Sequence, residues 1–356
     1  MGCSGDTGMS KDENYIIAEL EVKDFEEEDE IQIINSYEHL VRNVPDEARE
    51  GEEDDLNNET EIKDVTITID GQAIPFSYYH NFKSRGKYLI KYNFHHLLTK
   101  TDYMFCYCLN LTKIDLTHFN TEKVTNMSNM FFRLLNTEKI DVSKFNTKNV
   151  IDMSNMFFTC KKLKKLDVSR FDTSKVENMY SMFYDCVNLE ELDLSRFDTR
   201  NLVVLNDFLS GCEKLKKIDV SSFNTEKVLR MSGVFSCCKA LTSINVSNFN
   251  TKNVFEMSEM FAGTSIESLD LSSFNTEKVE DMKKMFKKCE KLKKLNLSNF
   301  KVSPDTGIEQ MFRCCPCLEK KNIKTKDEKL LAQFDKDLLA GDEPEEANEE
   351  QGEEEA

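Results

Sequence analysis

LKKLDVSRFDTSKVENMYSMFYDC, residues Leu163 to Cys186, is one copy of a unit that fills two thirds of this chain. The frame is L-x-x-[LI]-[DN]-[VL]-S-x-F-[ND]-T-x-x-V-x-x-M-x-x-M-F-x-x-C. Its first Phe returns as Phe119, Phe145, Phe171, Phe197, Phe223, Phe249, Phe274 and Phe300, at spacings of 26, 26, 26, 26, 26, 25 and 26 residues. A unit so short cannot bury its apolar side alone, so a period in this range marks a stacked array. Such an array offers a long regular surface and seldom a closed catalytic pocket.

Within the quoted copy, Leu166 and Val168 alternate with polar neighbours, as in a short strand. Val176, Met179, Met182, Phe183 and Cys186 follow at i, i+3, i+6, i+7 and i+10, an apolar stripe at helical spacing. Each coil is therefore predicted to be a strand, a turn and a short helix. The fold class expected is an α/β repeat, a solenoid of about eight coils over residues 93–317, with a parallel sheet roughly 40 Å long at ~4.8 Å per strand. The array opens part-way through a unit, at Met104-Phe105 and Cys108. Two units depart from the frame: Leu205, Phe208 and Leu209 replace the Met-x-x-Met-Phe residues, and a residue is missing between Phe261 and Ile266, where Thr264 takes the Cys slot.

The flanks differ in character. Residues 1–12 are small and polar, a flexible leader. A β-rich module spans 13–92, with strands expected at 15–22, 31–35, 62–69, 73–79 and 87–92, an acidic loop at 46–61 and a tight hairpin at Asp70-Gly71. Five strands suffice for a small sandwich that caps the first coil. Over 318–341 a capping helix is expected, its apolar side made of Leu330, Leu331, Phe334, Leu338 and Leu339. Residues 342–356 are nearly all acidic or small and cannot bury enough apolar area to order themselves.

Net charge is −18, yet 31 Lys plus Arg face 28 Asp plus Glu between Thr101 and Cys317, so the acidic excess sits on the flanks. Nucleic acid is a disfavoured partner, because phosphate binding calls for a net basic surface. No run of 18 apolar residues occurs, and the first 25 residues hold no apolar core of a secretory signal. A cytoplasmic location with reduced cysteines follows as the expectation. One feature modifies it: Met1-Gly2-Cys3 presents Gly2 for myristoylation and Cys3 for palmitoylation, the two acyl chains that stable attachment to the cytoplasmic face of a membrane requires.

The recurring Phe-Asn-Thr, Met-x-x-Met-Phe and Cys, for instance Phe145-Asn146-Thr147, Met153, Met156-Phe157 and Cys160, resemble the bacterial surface protein 26-residue repeat. That repeat also occurs in mycoplasma lipoproteins and in the BspA-like leucine-rich repeat proteins of protists, and a protist-like member is the nearest description. The resemblance implies a leucine-rich-repeat-like solenoid that binds other macromolecules. Bacterial members are surface proteins.

Several columns invite chemistry. Paired thioethers such as Met153 and Met156 can hold Cu(I), but they share a stripe with Val and Phe, and Met fills irregular cores. The Cys column (Cys108, Cys160, Cys186, Cys212, Cys238, Cys289, Cys315) fits a small buried residue better than a metal ligand, and the Cys314, Cys315 and Cys317 cluster lacks paired C-x-x-C motifs and a nearby His. No cofactor or metal is expected. All five His are N-terminal, and no nucleophile elbow, zinc-protease motif or phosphate loop occurs, so an enzyme is not expected. The strand column Asp115, Asp141, Asp167, Asp193, Asp219 and Asp270 points to the exposed side, where it serves hydrogen bonding or a cationic partner. Lys164, Lys165, Lys216, Lys217, Lys293 and Lys294 lie on the turn before the strand, as solvated charge or a grip for acidic groups. Together these twelve residues are the candidate binding surface for a protein partner of unknown identity. The function expected is a non-enzymatic interaction scaffold; the alternative is a surface adhesin, favoured if glycans occupy Asn58-Glu59-Thr60 or Asn110-Leu111-Thr112.

Overall fold

The structure, a computed structural model, describes residues 14–23, 29–42 and 58–340. The leader with Gly2 and Cys3, most of the acidic loop, and the tail at 342–356 lie outside the described residues.

The N-terminal segment forms β1 (Tyr15–Val22), β2 (Ile31–Gln32), helices α1 (Tyr37–Arg42) and α2 (Glu59–Lys63), then β3 (Val65–Ile69), β4 (Gln72–Ile74), β5 (Tyr79–His80) and β6 (Gly86–Phe94). Asp70 and Gly71 take φ of +47° and +81° between β3 and β4, the left-handed pair a two-residue hairpin needs. Pro75, which has no N–H for a ladder, lies where the single strand expected at 73–79 divides into β4 and β5. Among the described residues, the main sheet of this module is shared with the repeats. With β7 (Leu111–Asp115) and β8 (Lys139–Asp141) of the repeats, one sheet runs in the order β4-β3-β6-β1-β7-β8. Alternate β1 residues Ile16, Ala18, Leu20 and Val22 are buried, and β1 runs antiparallel along β7, which covers the open edge of the first coil.

Each coil is joined to the next in parallel register. Lys100, Asn126, Asp152, Asn178, Val204, Arg230, Glu256, Asp281 and Gly307 form an unbroken line of main-chain bridges, one per coil. The line continues past the shortened unit, where Glu256 bridges Asp281.

Beside this line, the stripe expected as a helix is not one: among the described residues no α-helix lies inside the repeats. The chain makes overlapping turns instead. In the quoted copy the N–H groups of Met182, Tyr184 and Cys186 close turns onto Met179, Ser181 and Phe183 carbonyls at 3.0–3.3 Å. The alternate N–H groups of Met179, Ser181, Phe183 and Asp185 cross to the next coil's Val204, Asn206, Phe208 and Ser210 carbonyls at 2.7–3.1 Å. A helix would keep every amide for its own chain. Ser181 and Asp185 adopt φ of +50° and +54°, the left-handed value of the third residue of a type II turn. Because successive turns also bring every third or fourth residue to one side, the apolar spacing imitates a helix.

At another corner of the coil a side chain does the joining. Thr147 Oγ1 accepts the Asp172 N–H at 2.7 Å and donates to the Asp172 carbonyl at 3.0 Å. Thr173 does the same to Asp198, and Thr121, Thr199, Thr225, Thr251 and Thr276 repeat the arrangement. A threonine side chain that reaches across to both the N–H and the C=O of one residue holds neighbouring backbones wider than a direct main-chain bond. The aromatic columns agree: Phe157 and Phe183 beside the turns are 5.6 Å apart, whereas Phe197 and Phe223 beside the Thr column are 6.5 Å apart. The strand face diverges accordingly. Instead of one 40 Å sheet it has β7–β8 at the start and β9 (Ser268–Asp270), β10 (Lys294–Asn296) and β11 (Ile323–Lys324) at the end, with the bridge Lys165 to Glu191 between.

The last coil ends against β11 and α3 (Glu328–Leu339), whose Asp327 N-cap accepts the Lys329 N–H at 2.9 Å. Leu330 and Phe334 are buried, whereas Leu338 and Leu339 are 69% and 86% exposed, so the apolar stripe turns only in part toward the array. Asp337 Oδ2 accepts the Phe312 N–H at 2.8 Å, where one coil earlier the Phe286 N–H meets the Met311 carbonyl. The carboxylate thus takes the place of a further coil's carbonyl.

Candidate interaction surface

The Met and Cys columns are packed into the interior. The Met of the repeats, such as Met153 and Met156, are fully buried among Val and Phe. Cys160, Cys186 and Cys212 are buried, and each thiol reaches back to the carbonyl of the Phe 29 residues earlier at 3.1–3.2 Å. Burial pushes the Cys186 and Cys238 thiols up to about 12. Among the described residues no group of three or more His, Cys, Asp or Glu is placed to hold a metal ion.

The Asp column does lie on the outside, with Asp115, Asp167, Asp193, Asp219 and Asp270 exposed and Asp141 half-buried. Its carboxylates are engaged by their own chain. Each accepts the N–H two residues on, as in Ser169 to Asp167 at 3.0 Å and Ser195 to Asp193 at 2.9 Å, a side-chain turn that also ends the strand. The Ser221 hydroxyl and N–H hold Asp219 below the usual carboxylate range, and repulsion from the Asp193 charge is the smallest of the influences on it. Stacked carboxylates are therefore tolerated because local donors outweigh the neighbour.

The six lysines are all exposed. Lys165 and Lys293 bridge to Glu191 and Glu267 of an adjacent coil at 3.0 and 2.9 Å. Lys216 and Lys217 line an open depression of about 690 Å³ with Glu190, Glu191, Asp193 and Glu213, where both columns meet around a concave surface.

Sequence reasoning missed the slot directly after the core Met-Phe pair. Phe132, Phe158 and Tyr184 stack there at 4.6 and 4.7 Å, nearly parallel and half-buried. Further along, the slot holds Ser210, Ser236 and Ala262, and then Lys287 and Arg313. Ile151 and Tyr180 add large apolar groups, 46% and 41% exposed. The signal was legible, since this slot changes chemistry from coil to coil while its neighbour remains apolar.

Of the two glycosylation motifs the fold closes one and half-buries the other. Asn58 is fully buried and donates to the Asp102 carbonyl at 2.6 Å, and Asn110 donates to the Glu21 carbonyl at 3.1 Å.

No curated protein matches. A leucine rich cell surface protein from Faecalibacterium prausnitzii A2-165, known as a crystal structure, is similar at 14% identity over 67% of this chain and 85% of that chain, with a TM-score of 0.24. The family described as "Mycoplasma protein of unknown function, DUF285" matches at residues 99–218 and 204–325. The chain belongs to this DUF285 family, of BspA-like repeat character, and its 26-residue coils are the part that carries the membership.

Proposed function

We propose that the chain is a non-enzymatic interaction protein, a leucine-rich-repeat-like solenoid displayed at a cell surface, with a macromolecular partner docking along its variable outer slots. One observation carries the reading: the columns present in nearly every coil (Thr, Met, Phe, Cys) are committed to stacking, while the slot holding Phe132, Phe158 and Tyr184 varies and is partly exposed. An aromatic strip of this kind is what interface cores favour. Phe158→Ser with Tyr184→Ser should leave the melting temperature nearly unchanged and remove the partner set found by proximity labelling around the wild-type chain. Retention of the same labelled set would exclude this strip as the docking face.

The competing reading is attachment at the inner leaflet, motivated by Gly2 and Cys3. Protease treatment of intact cells together with mass spectrometry of the native N-terminus separates the two: surface display predicts digestion, whereas an acylated Gly2 with protection predicts the inner leaflet.

A further inference from the structure

The end of the stack carries a cation cluster that the repeat does not require. Lys287 and Arg313 occupy one slot in successive coils, since Phe286 and Phe312 before them stack at 5.9 Å and the Lys288 N–H donates to the Arg313 carbonyl at 2.8 Å. The Lys287 N–H closes a turn onto the Lys284 carbonyl at 2.9 Å. Lys284, Lys287 and Lys288 thus share one patch beside Arg313, which is itself only 8% exposed, with Glu259 at 3.2 Å from the Lys284 ammonium. Burial and the charges of Lys284, Lys288 and Arg313 hold Lys287 below the ordinary lysine value, and Glu259 works against them. In the two preceding coils the Lys287 slot is Ser236 and Ala262.

Helix α3 brings the chain to this patch. Asp337 sits on the Phe312 amide, and α3 ends at Leu339, so the last described residue, Ala340, lies within about one helical turn of the coil that bears Arg313. From Asp342 to Ala356 there are nine acidic side chains and no basic one. Fifteen residues can extend about 50 Å, whereas the patch spans two coils, roughly 10 Å. A tether so short raises the local concentration of acidic groups at the patch to the millimolar range.

We propose that the acidic segment 342–356 docks on the Lys284, Lys287 and Lys288 patch of its own chain, as an internal occupant that any acidic partner must displace. The proposal stands independently of whether the aromatic slot binds a partner. It is tested by the rate at which an amine-acylating reagent modifies individual lysines, read by mass spectrometry. The comparison is between the wild-type chain and the full chain with Asp342→Asn and Glu→Gln at 343, 345, 346, 349, 350, 353, 354 and 355. Lys287 and Lys288 should react several-fold faster in the variant, and in wild type at about 0.5 M salt, where screening is strong. Lys164, exposed at a distance, should react alike in all cases. Equal rates at Lys287 and Lys288 in the two proteins overturn the proposal. Protection that vanishes on dilution also overturns it, because the occupant would then be a second copy.

Discussion

Thr173 holds two coils together through a single oxygen, so replacing its hydroxyl with a methyl group tests that oxygen and little else. Thr173→Val should leave the Asp198 N–H and carbonyl without their partner and lose about 1–3 kcal/mol, measured by urea unfolding. Lys164→Ala, at an exposed position, should be near neutral. Equal losses for the two would mean the hydroxyl bridge contributes nothing. A second residue-scale expectation concerns Asp102, which is fully buried and whose carboxylate oxygens find no hydrogen-bond partner among the described residues. Burial, opposed by the Lys100 charge and aided by Glu38 and Asp152, pushes its carboxyl up to about 7. A carboxyl raised above its unfolded value favours the folded state at low pH, and that contribution is lost as pH rises through about 4 to 7. Asp102→Asn should therefore raise the melting temperature at pH 8 and change it little at pH 4; a drop at pH 8 would show that the ionised group is stabilising. The thiols give a third check. Cys237 and Cys317 are exposed and should react with a maleimide in the native protein, whereas Cys186 and Cys212 should react only after denaturation.

At the scale of elements, α3 closes the stack with a carboxylate rather than with apolar area alone. Asp337→Ala should strand the Phe312 amide and lower the melting temperature more than Leu338→Ala, since Leu338 is mostly exposed. The reverse order would place the cap's strength in its outer apolar residues. This is also the scale at which sequence and structure part. The register of the coils, the burial of Met153, Phe157 and Cys160, and the Asp70-Gly71 hairpin follow from spacing and turn chemistry, which are local. The turn ladder at 176–186 did not, because turns and a helix place apolar groups at the same intervals, and what separates them is where alternate amides go. That destination lies 25 residues away in the next coil. The continuity of β1 with β7 was hidden for the same reason, as was the role of Asp337. Of the candidate surface, the Asp column could be placed outside from alternation, but its engagement by Ser169 and Ser195 depends on the tight turn that follows each strand.

For the whole molecule, contacts run mainly between neighbouring coils, so stability should be close to a sum over coils and their interfaces. Deleting residues 170–195 joins Ser169 to Arg196 in frame and removes one complete coil. The shortened chain should fold, with a smaller denaturant m value and a modest loss of stability. Deleting only 170–182 puts Phe columns against polar slots and should abolish cooperative unfolding. If both deletions behave alike, the coils are not interchangeable units.

The two ways of joining coils also differ in stiffness. Along the line from Lys100 to Gly307 the backbones are fastened directly, while at Thr147, Thr173 and Thr199 each link runs through a side chain whose one hydroxyl makes both hydrogen bonds to the same residue of the next coil. A link through a side chain adds rotatable bonds that a main-chain link lacks, and so yields more. Under a bending load the stack should flex about its directly fastened edge, opening and closing like a fan on the threonine side, so that its compliance has a direction set by a single column of hydroxyl groups.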